Sequence, residues 1–191
     1  MSKQAKTLNG AELKKVLNYI AVQTKHSARN RALLLITHYA GLRVAEAVSL
    51  LYSDVVADDG AVRTEIKLRA EQAKGGYART VFVSERLRKE LTTYTRLLQG
   101  CKPSDSFFYT QKRPSGFSPN SAAQFFHFLY KRAGVDGASS HSGRRSFITN
   151  LAEKGVAVRV IMGLSGHRQL SSVQAYMDCN PVQMRNAVEL I

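Results

Sequence analysis

Apolar residues recur at helical spacing near the start of the chain, at Leu13, Val16, Leu17 and Ile20. Asn9 and Glu12 have the spacing of a capping box, so a helix is predicted from there to about residue 24. A second helix is predicted over residues 28–39, because Gly41 can adopt the left-handed backbone that often ends a helix. The N-terminal part of the chain is therefore predicted to be helical.

The pattern changes after a third, short helix, which is predicted over residues 44–51. Residues 61–69 and 78–83 alternate apolar and polar side chains, as strands with one buried face do. Between them, Lys74-Gly75-Gly76 has the composition of a turn. A small antiparallel sheet is therefore predicted, with Lys74 at the tip of its hairpin.

The rest of the chain is predicted to be helical. Serine caps precede helices over residues 84–99 and 118–132, and the second helix has a proline in its first turn. Beyond Ser139, glycines separate three or four short helices. Because no repeat or linker interrupts the chain, residues 1–191 are predicted to form one α+β domain, mostly α, with one small antiparallel β-sheet.

Charge narrows the choice of partner. The chain has 28 Lys and Arg against 14 Asp and Glu, a net charge of +14, which favours a polyanion such as DNA, RNA or an anionic membrane. No apolar run approaches the roughly 20 residues that cross a bilayer, and the N-terminus lacks the apolar core of a secretion signal. Cys101 and Cys179 make no disulfide framework, which suits the reducing cytoplasm. A nucleic-acid partner and no membrane are therefore expected.

Several common catalytic motifs are missing from the sequence. It has neither the GxxxxGK[ST] phosphate loop nor the GxGxxG fingerprint, and its histidines and cysteines never fall at metal-binding spacing. We therefore expect no metal and no other cofactor. Residues 163–167 are superficially similar to a serine-hydrolase elbow, but the second glycine comes one position early and no predicted strand precedes them.

Cationic and proton-transferring side chains stand beside glycines or at predicted helix starts. They are Arg43, Lys74, His141, Arg144, His167 and Tyr176. His141 and Arg144 are three residues apart and so share one helix face. Singly, each residue also fits a solvated charge, a polar turn or a packed ring. As an ordered set, they are suited to neutralising a phosphodiester while the phenol attacks it.

Four segments resemble the tyrosine site-specific recombinases, the phage integrase family. Residues 41–50 (GLRVAEAVSL), followed by Ser53-Asp54-Val55, are similar to its first arginine box. Residues 141–144 (HSGR) match its His-x-x-Arg box, and residues 163–176 (GLSGHRQLSSVQAY) match the Leu-x-Gly-His box that runs to the nucleophilic tyrosine. Lys74 matches the family's hairpin lysine. The resemblance extends over essentially the whole chain, in the right order.

The resemblance implies that Tyr176 attacks the scissile phosphate, forms a 3′-phosphotyrosyl link and releases a 5′-hydroxyl. Arg43 and Arg144 would clamp the non-bridging oxygens, for which the guanidinium fork is well shaped. Glu46 would orient Arg43 or its neighbours. A phenol has a pKa of about 10, so Tyr176 needs a base or a strongly positive pocket at neutral pH.

The same resemblance implies roles in proton transfer. Lys74 would protonate the 5′-oxygen, while His141 and His167 would hydrogen-bond the phosphoryl oxygens or take the tyrosine proton. Lys67 and Arg69 are alternatives to Lys74, because hairpin register is uncertain by about a residue or two. A phosphotyrosyl ester stores the broken backbone bond, so rejoining would need no ATP.

The second box departs from the family pattern His-x-Leu-Arg-His, since it reads HSGRR. Gly143 lowers helix propensity by up to about 1 kcal/mol relative to alanine. Arg145 lies about 100° round the helix from Arg144 and is expected to contact the DNA backbone rather than the reacting phosphate. Two further basic pairs are interpreted as phosphate contacts, with solvated surface charge equally open: Lys112-Arg113 and Lys131-Arg132.

Family members usually carry a separate N-terminal clamp domain, and only about eight residues precede the first predicted helix here. We therefore expect no clamp domain in this chain, which is either a fragment or a recombinase made of the catalytic domain alone. The resemblance implies a cytoplasmic, nucleoid-associated recombinase of double-stranded DNA. It would be a monomer in free solution and a homo-tetramer on paired sites, with residues 181–191 contacting a neighbour. A non-catalytic DNA-binding module and a type IB topoisomerase-like enzyme stay open.

Overall fold

The structure is a computed structural model that describes residues 6–73, 75–110, 116–174, 176, 184–185 and 188–189. Helices dominate these ranges, together with a two-stranded antiparallel sheet, which confirms the predicted α+β class. Within the same ranges, no helix is both long and apolar enough to span a bilayer.

Four helices form the N-terminal part: α1 (Gly10–Gln23), α2 (Ser27–Tyr39), α3 (Val44–Val48) and α4 (Tyr52–Val55). The predicted capping box of α1 is confirmed, because Asn9 Oδ1 accepts the Glu12 N–H at 2.9 Å and Glu12 Oε2 accepts the Asn9 N–H at 3.1 Å. Gly41 follows α2 with a φ of 66°. These local signals mark the start of α1 and the end of α2, just before the loop that leads to Arg43.

The single helix predicted over residues 44–51 was wrong, since the chain forms α3 and α4 there instead. Asp54 supplies the physical reason. Its Oδ2 accepts the Leu51 N–H at 2.8 Å, which caps the start of a new helix. The resulting break keeps α3 to five residues, with Arg43 at its N-terminal cap.

The sheet pairs β1 (Glu65–Leu68) with β2 (Arg79–Phe82), and Leu68 lies opposite Arg79. Both strands are shorter than the alternating pattern predicted. Before β1, the Arg63 N–H donates to the Val55 carbonyl at 2.9 Å, so this segment pairs with the end of α4, and the chain already turns after Leu68. In that turn, the Gln72 N–H donates to the Arg69 carbonyl at 3.0 Å. The sheet thus carries the hairpin loop from the end of β1 to Arg79.

Helices α5 (Glu85–Thr95) and α6 (Pro119–Arg132) begin at the predicted serine caps. Helix α5 ends before the predicted residue 99. Its last turns are rich in threonine, and the Thr95 hydroxyl donates to the Thr92 carbonyl at 2.9 Å, which competes with continued helix. The last described helices are α7 (Ser142–Glu153), α8 (Val158–Ser165) and α9 (Ser171–Gln174).

Helix α2 lies at the centre of the main hydrophobic core, and its residues 33–36 are almost completely buried. A second, smaller cluster joins the last three helices through Ile148, Ala152, Ile161 and Val173. Helix α7 connects the two cores because it packs on α2 and also contributes to the second cluster. Its first turn lies beside the Gly41–Arg43 loop.

Gly143 explains how α7 comes so close to α2. A Cβ atom at this position would collide with the Thr37 hydroxyl and would lie 3.3 Å from the backbone nitrogen of His38. The glycine that lowers local helix propensity therefore permits the helix crossing that places Arg144. The departure from the family pattern in the second box has a packing reason.

Candidate active site

Arg43 and Glu46 form the first part of the site. The backbone N–H of Arg43 donates to Glu46 Oε2 at 2.9 Å, and Arg43 Nη1 donates to Glu46 Oε1 at 2.7 Å. The Glu46 side chain is 1% exposed, whereas that of Arg43 is 19% exposed. Burial alone would raise the pKa of Glu46, but the charge of Arg79 and the bonds from Arg43 outweigh it and lower that pKa. Glu46 is thus a buried carboxylate that holds Arg43 at the surface.

Arg144 forms the second part. From the first turn of α7, its Nη1 donates to the carbonyl of Gly41 at 2.7 Å, and its Nη2 lies 3.2 Å from Nε2 of His167. Burial, and then the charge of Arg43, lowers the pKa of Arg144 to about 9. The guanidinium therefore keeps its charge at neutral pH, in an environment where it gains strongly from an anion.

His167 is held in one tautomer. Its Nδ1 lies 2.7 Å from the Ser165 hydroxyl, which itself donates to the Ile161 carbonyl at 2.6 Å. Since arginine can only donate, Nε2 of His167 accepts from Arg144, and Nδ1 carries the proton. Burial, and then the charges of Arg144 and Arg43, lowers the pKa of His167 to about 4. At neutral pH the imidazole is therefore uncharged, with its lone pair on Nε2.

These elements border an open cleft of about 1080 Å³. It is lined by Arg43, Glu46, Tyr77, Arg79, Gly166, His167 and Arg168, among others. Ala73 and Gly75, which flank the hairpin tip, also line it. The cleft thus lies between the hairpin, α3 and the end of α8, and Arg43, Arg79 and Arg168 supply positive charge to it.

Tyr176 lies beside this arrangement, on the second hydrophobic cluster. Its backbone N–H donates to the Val173 carbonyl at 2.9 Å, so it directly continues the turn of α9. The Arg145 guanidinium carbon lies 5.1 Å from the centre of its ring, a cation–π contact. Among the described residues, its hydroxyl makes no hydrogen bond to Arg43, Arg144 or His167.

The phage integrase family model matches residues 6–182 of this chain. The chain belongs to the phage integrase family. It is 29% identical over 184 residues to the tyrosine recombinase XerA of Pyrococcus furiosus, covering 96% of this chain and 61% of that protein. It is 31% identical over 180 residues to the tyrosine recombinase XerD of Pseudomonas putida, covering 90% of this chain and 56% of that protein. The chain spans about 60% of the length of these curated relatives.

Solved integrase-family structures share the fold. A crystal structure of XerA recombinase superimposes with a TM-score of 0.76 at 24% identity, covering 100% of this chain and 66% of that one. The XerH site-specific recombinase, bound to its difH substrate before cleavage, gives a TM-score of 0.72 at 25% identity, covering 98% of this chain and 54% of that one. The fold that carries the cleft is therefore an integrase-family fold.

The structure brings together most of the integrase-type residues expected from the sequence. Arg43 and Arg79 are both hydrogen-bonded to Glu46, and Arg144 is hydrogen-bonded to His167 and to the carbonyl of Gly41, two residues before Arg43. His141 directly precedes the first residue of α7 and is exposed, one turn before Arg144. Lys74 lies outside the described residues, and the alternative Arg69 is paired with Asp54 and Glu71. Lys67 is exposed on β1.

The structure places the expected DNA contacts in different environments. Arg145 is half-buried against Tyr176, so the structure places it beside the predicted nucleophile rather than turned outward. Lys112 and Arg113 lie outside the described residues. Lys131 and Arg132 are exposed at the end of α6, and Arg132 borders a separate groove of about 330 Å³ between α1, α2 and α6.

Sequence reasoning missed Arg79 and Arg168. Arg79 is two residues before the buried Val81 on β2, so both side chains lie on the inward face of the strand. The available signal was a charged residue at a position that the alternating pattern assigns to the buried face. Arg168 directly follows His167, and its guanidinium carbon lies 3.9 Å from the centre of the Tyr77 ring. No local pattern distinguished it from a solvated charge.

Proposed function

We propose that this chain is the catalytic domain, over residues 1–191, of a site-specific DNA recombinase that acts through a 3′-phosphotyrosyl intermediate. The observation that carries the proposal is the group around Arg144: its guanidinium joins the Gly41–Arg43 loop to His167, at a cleft bordered by further cations. Preorganised donors of this kind stabilise the charge that develops on a phosphate in the transition state. Tyr176 supplies the nucleophile from the adjoining cluster.

In the proposed cleavage step, Tyr176 Oη forms a bond to phosphorus while the bond from phosphorus to the 5′-oxygen breaks. Arg43 and Arg144 neutralise the non-bridging oxygens, and Lys74 gives a proton to the departing 5′-oxygen. The phenol proton passes to His141 or to His167. Rejoining is the same step in reverse with a different 5′-hydroxyl, so the phosphodiester bond energy is kept throughout.

The state of His167 favours its participation in that proton transfer. Its Nε2 lone pair accepts from Arg144 in the structure. When phosphate oxygens take over the Arg144 donors, the lone pair becomes available to a phenolic proton. A neutral imidazole with a free Nε2 is the form that a general base requires.

Double-stranded DNA is the proposed partner, in agreement with the net charge of +14. XerH and a lambda integrase fragment have been solved with DNA bound, which supports the same partner for this chain. We further propose a cytoplasmic, nucleoid-associated protein that is a monomer in solution and a homo-tetramer on paired sites.

A trapping experiment tests this function. The chain is incubated with a library of nicked duplexes of randomised sequence, in which a cleaved strand loses its short 5′-hydroxyl fragment and cannot be rejoined. SDS-resistant complexes are isolated and their DNA is sequenced. A recombinase gives adducts on a restricted set of sequences, and Tyr176→Phe gives none.

Other outcomes would contradict the proposal. Retarded but never covalently attached DNA would identify a binding module of the same fold. Adducts without sequence preference, together with relaxation of supercoiled plasmid of arbitrary sequence, would identify a topoisomerase-like enzyme.

A further inference from the structure

Arg79 connects three elements at the floor of the cleft. It is the first residue of β2, and its side chain is 11% exposed. Its Nη2 donates to Glu46 Oε2 at 2.8 Å, and its Nη1 donates to the Leu164 carbonyl near the end of α8 at 3.0 Å. One buried guanidinium thus joins the hairpin strand to the carboxylate that holds Arg43 and to the turn that leads to His167.

Gly166 is shaped for this arginine. It ends α8 with a φ of 67°, which favours glycine on backbone grounds alone. In addition, a Cβ atom at Gly166 would lie 2.6 Å from Cδ and 2.7 Å from Nε of Arg79. Arg79 therefore packs directly against the residue that precedes His167, and only glycine leaves room for it.

Arg79 also determines which donors each carboxylate oxygen of Glu46 accepts from. Glu46 Oε1 accepts from Arg43 Nη1, whereas Oε2 is taken by Arg79 Nη2 and by the Arg43 backbone. A two-pronged side-chain pairing of Arg43 with Glu46, the geometry that arginine and carboxylate otherwise favour, does not form. Within the described part of the chain, Nε and Nη2 of Arg43 have no hydrogen-bond partner, so they can meet a phosphate.

We infer that Arg79 is a positioning residue for the reaction: by occupying one oxygen of Glu46 and bracing the Leu164–Gly166 turn, it keeps Arg43 directed at the phosphate and His167 beside Arg144. This inference rests on the proposed function. Arg79 acts through Glu46 and the turn, and its own Nη donors stay directed inward when DNA is bound.

The test compares Arg79→Met with Arg88→Met, which removes the same charge from an exposed arginine on α5 that pairs with Glu85. Single-turnover adduct formation is measured on a sequence recovered from the nicked library. We expect Arg79→Met to slow adduct formation by roughly 10- to 100-fold, as small misplacements of reacting groups do, with DNA affinity within about threefold of Arg88→Met. Thermal unfolding and circular dichroism of both variants establish that they are folded.

Two further measurements separate positioning from a merely structural role. If Arg79 acts through Glu46, Arg79→Met costs much less in a Glu46→Gln background, because the carboxylate that it controls is already gone. In addition, an NMR titration of the Glu46 carboxyl should show a higher pKa in Arg79→Met than in the unmodified chain, since the charge of Arg79 helps to lower it.

Three results would overturn the inference. If the unmodified chain forms adducts and Arg79→Met forms them equally fast, positioning by Arg79 is wrong while the proposed function stands. If the Arg79→Met and Glu46→Gln effects are independent, or the Glu46 titration is unchanged, Arg79 does not act through Glu46. If the unmodified chain forms no adduct with any sequence, the proposed function fails and the inference fails with it.

Discussion

Arg144 Nη2 lies 3.2 Å from His167 Nε2, so the arginine expected to bind phosphate also occupies the lone pair of the imidazole expected to help with proton transfer. Arg144 lies in the first turn of α7, and His167 follows the end of α8. In the proposed mechanism, a phosphate that enters the cleft competes for the Arg144 donors and frees the imidazole. This mechanism couples substrate binding to base availability through one hydrogen bond.

Arg144→Lys should therefore lose most of the cleavage activity. Lysine keeps the charge but cannot hold the Gly41 carbonyl, His167 and a phosphate oxygen with one planar group. We expect adduct formation to fall by about 100- to 1000-fold, as when one preorganised donor of an oxyanion hole is removed. Arg88→Lys, an exposed position on α5 that pairs with Glu85, serves as the control and should retain full activity. Equal activity of the two variants would exclude Arg144 from the clamp.

The cleavage defect of Lys74→Ala should be rescued by a change in the leaving group of the DNA substrate. If Lys74 protonates the 5′-oxygen, its loss slows cleavage by about 100- to 10,000-fold on ordinary DNA, the usual contribution of a general acid. A substrate with sulfur in place of the bridging 5′-oxygen has a leaving group that needs no proton, because a thiol has a pKa of only about 8.5. On that substrate the variant should cleave nearly as fast as the unmodified chain.

The matched variants for Lys74 are Lys67→Ala and Arg69→Ala, on the strand and turn that precede the hairpin tip. If one of them, instead of Lys74→Ala, shows the sulfur-dependent recovery, the general acid is that residue. If Lys74→Ala slows cleavage equally on both substrates, Lys74 is not the general acid.

Stability should fall as the solution is acidified from pH 6.5 towards pH 4. Burial is the main cause that lowers the pKa of both His38 and His167 to about 4. Unfolding restores an ordinary pKa of about 6.5, so the unfolded chain binds more protons in this window and is favoured there. The contribution of the two neutral histidines to the free energy of unfolding is complete above pH 6.5. It is lost as the pH falls through their folded-state pKa of about 4.

Urea unfolding at several pH values measures this effect. Each histidine contributes a slope of up to about 1.4 kcal/mol per pH unit within the window. His167→Gln should reduce the slope by about one proton relative to the unmodified chain. An unchanged slope in His167→Gln would show that His167 is charged in the folded protein.

Two glycines inside helices should respond to alanine in opposite directions. Gly143→Ala places a methyl group against Thr37 at the crossing of α2 and α7, and we expect a loss of about 1–3 kcal/mol in the free energy of unfolding. Gly163→Ala, in α8, meets nothing within 4 Å and should gain about 0.5–1 kcal/mol from helix propensity. Chemical denaturation of both variants checks the pair, and a stabilising Gly143→Ala would contradict the packing role of Gly143.

Local chemistry explains why so much of the fold and site was predictable from the sequence. The Asn9–Glu12 capping box and the left-handed Gly41 act within three or four residues, so their patterns are readable directly. The order of the arginine and histidine boxes then placed Arg43, Arg144 and His167. In the structure Arg144 lies between the Gly41–Arg43 loop and His167, in agreement with that order.

Arg79 and Arg145 were not predictable in the same way, because their roles depend on partners far along the chain. Arg79 meets Glu46 and Leu164, which are 33 and 85 residues away. Arg145 meets the Tyr176 ring only because the second cluster brings α7 against α9. The role of Gly143 was also not predictable from its neighbours in sequence, because it depends on close contact with Thr37 on another helix.

Peptide mapping of the trapped DNA complex tests the central claim most directly. Trypsin should release residues 169–185 as one peptide, in which Tyr176 is the only tyrosine and Ser171, Ser172 and Cys179 are competing nucleophiles. After nuclease digestion, tandem mass spectrometry should locate a nucleotide linked through its 3′-phosphate on Tyr176. A nucleotide on any other side chain, or DNA that binds tightly yet leaves every peptide unmodified, would contradict phosphotyrosyl chemistry at this site.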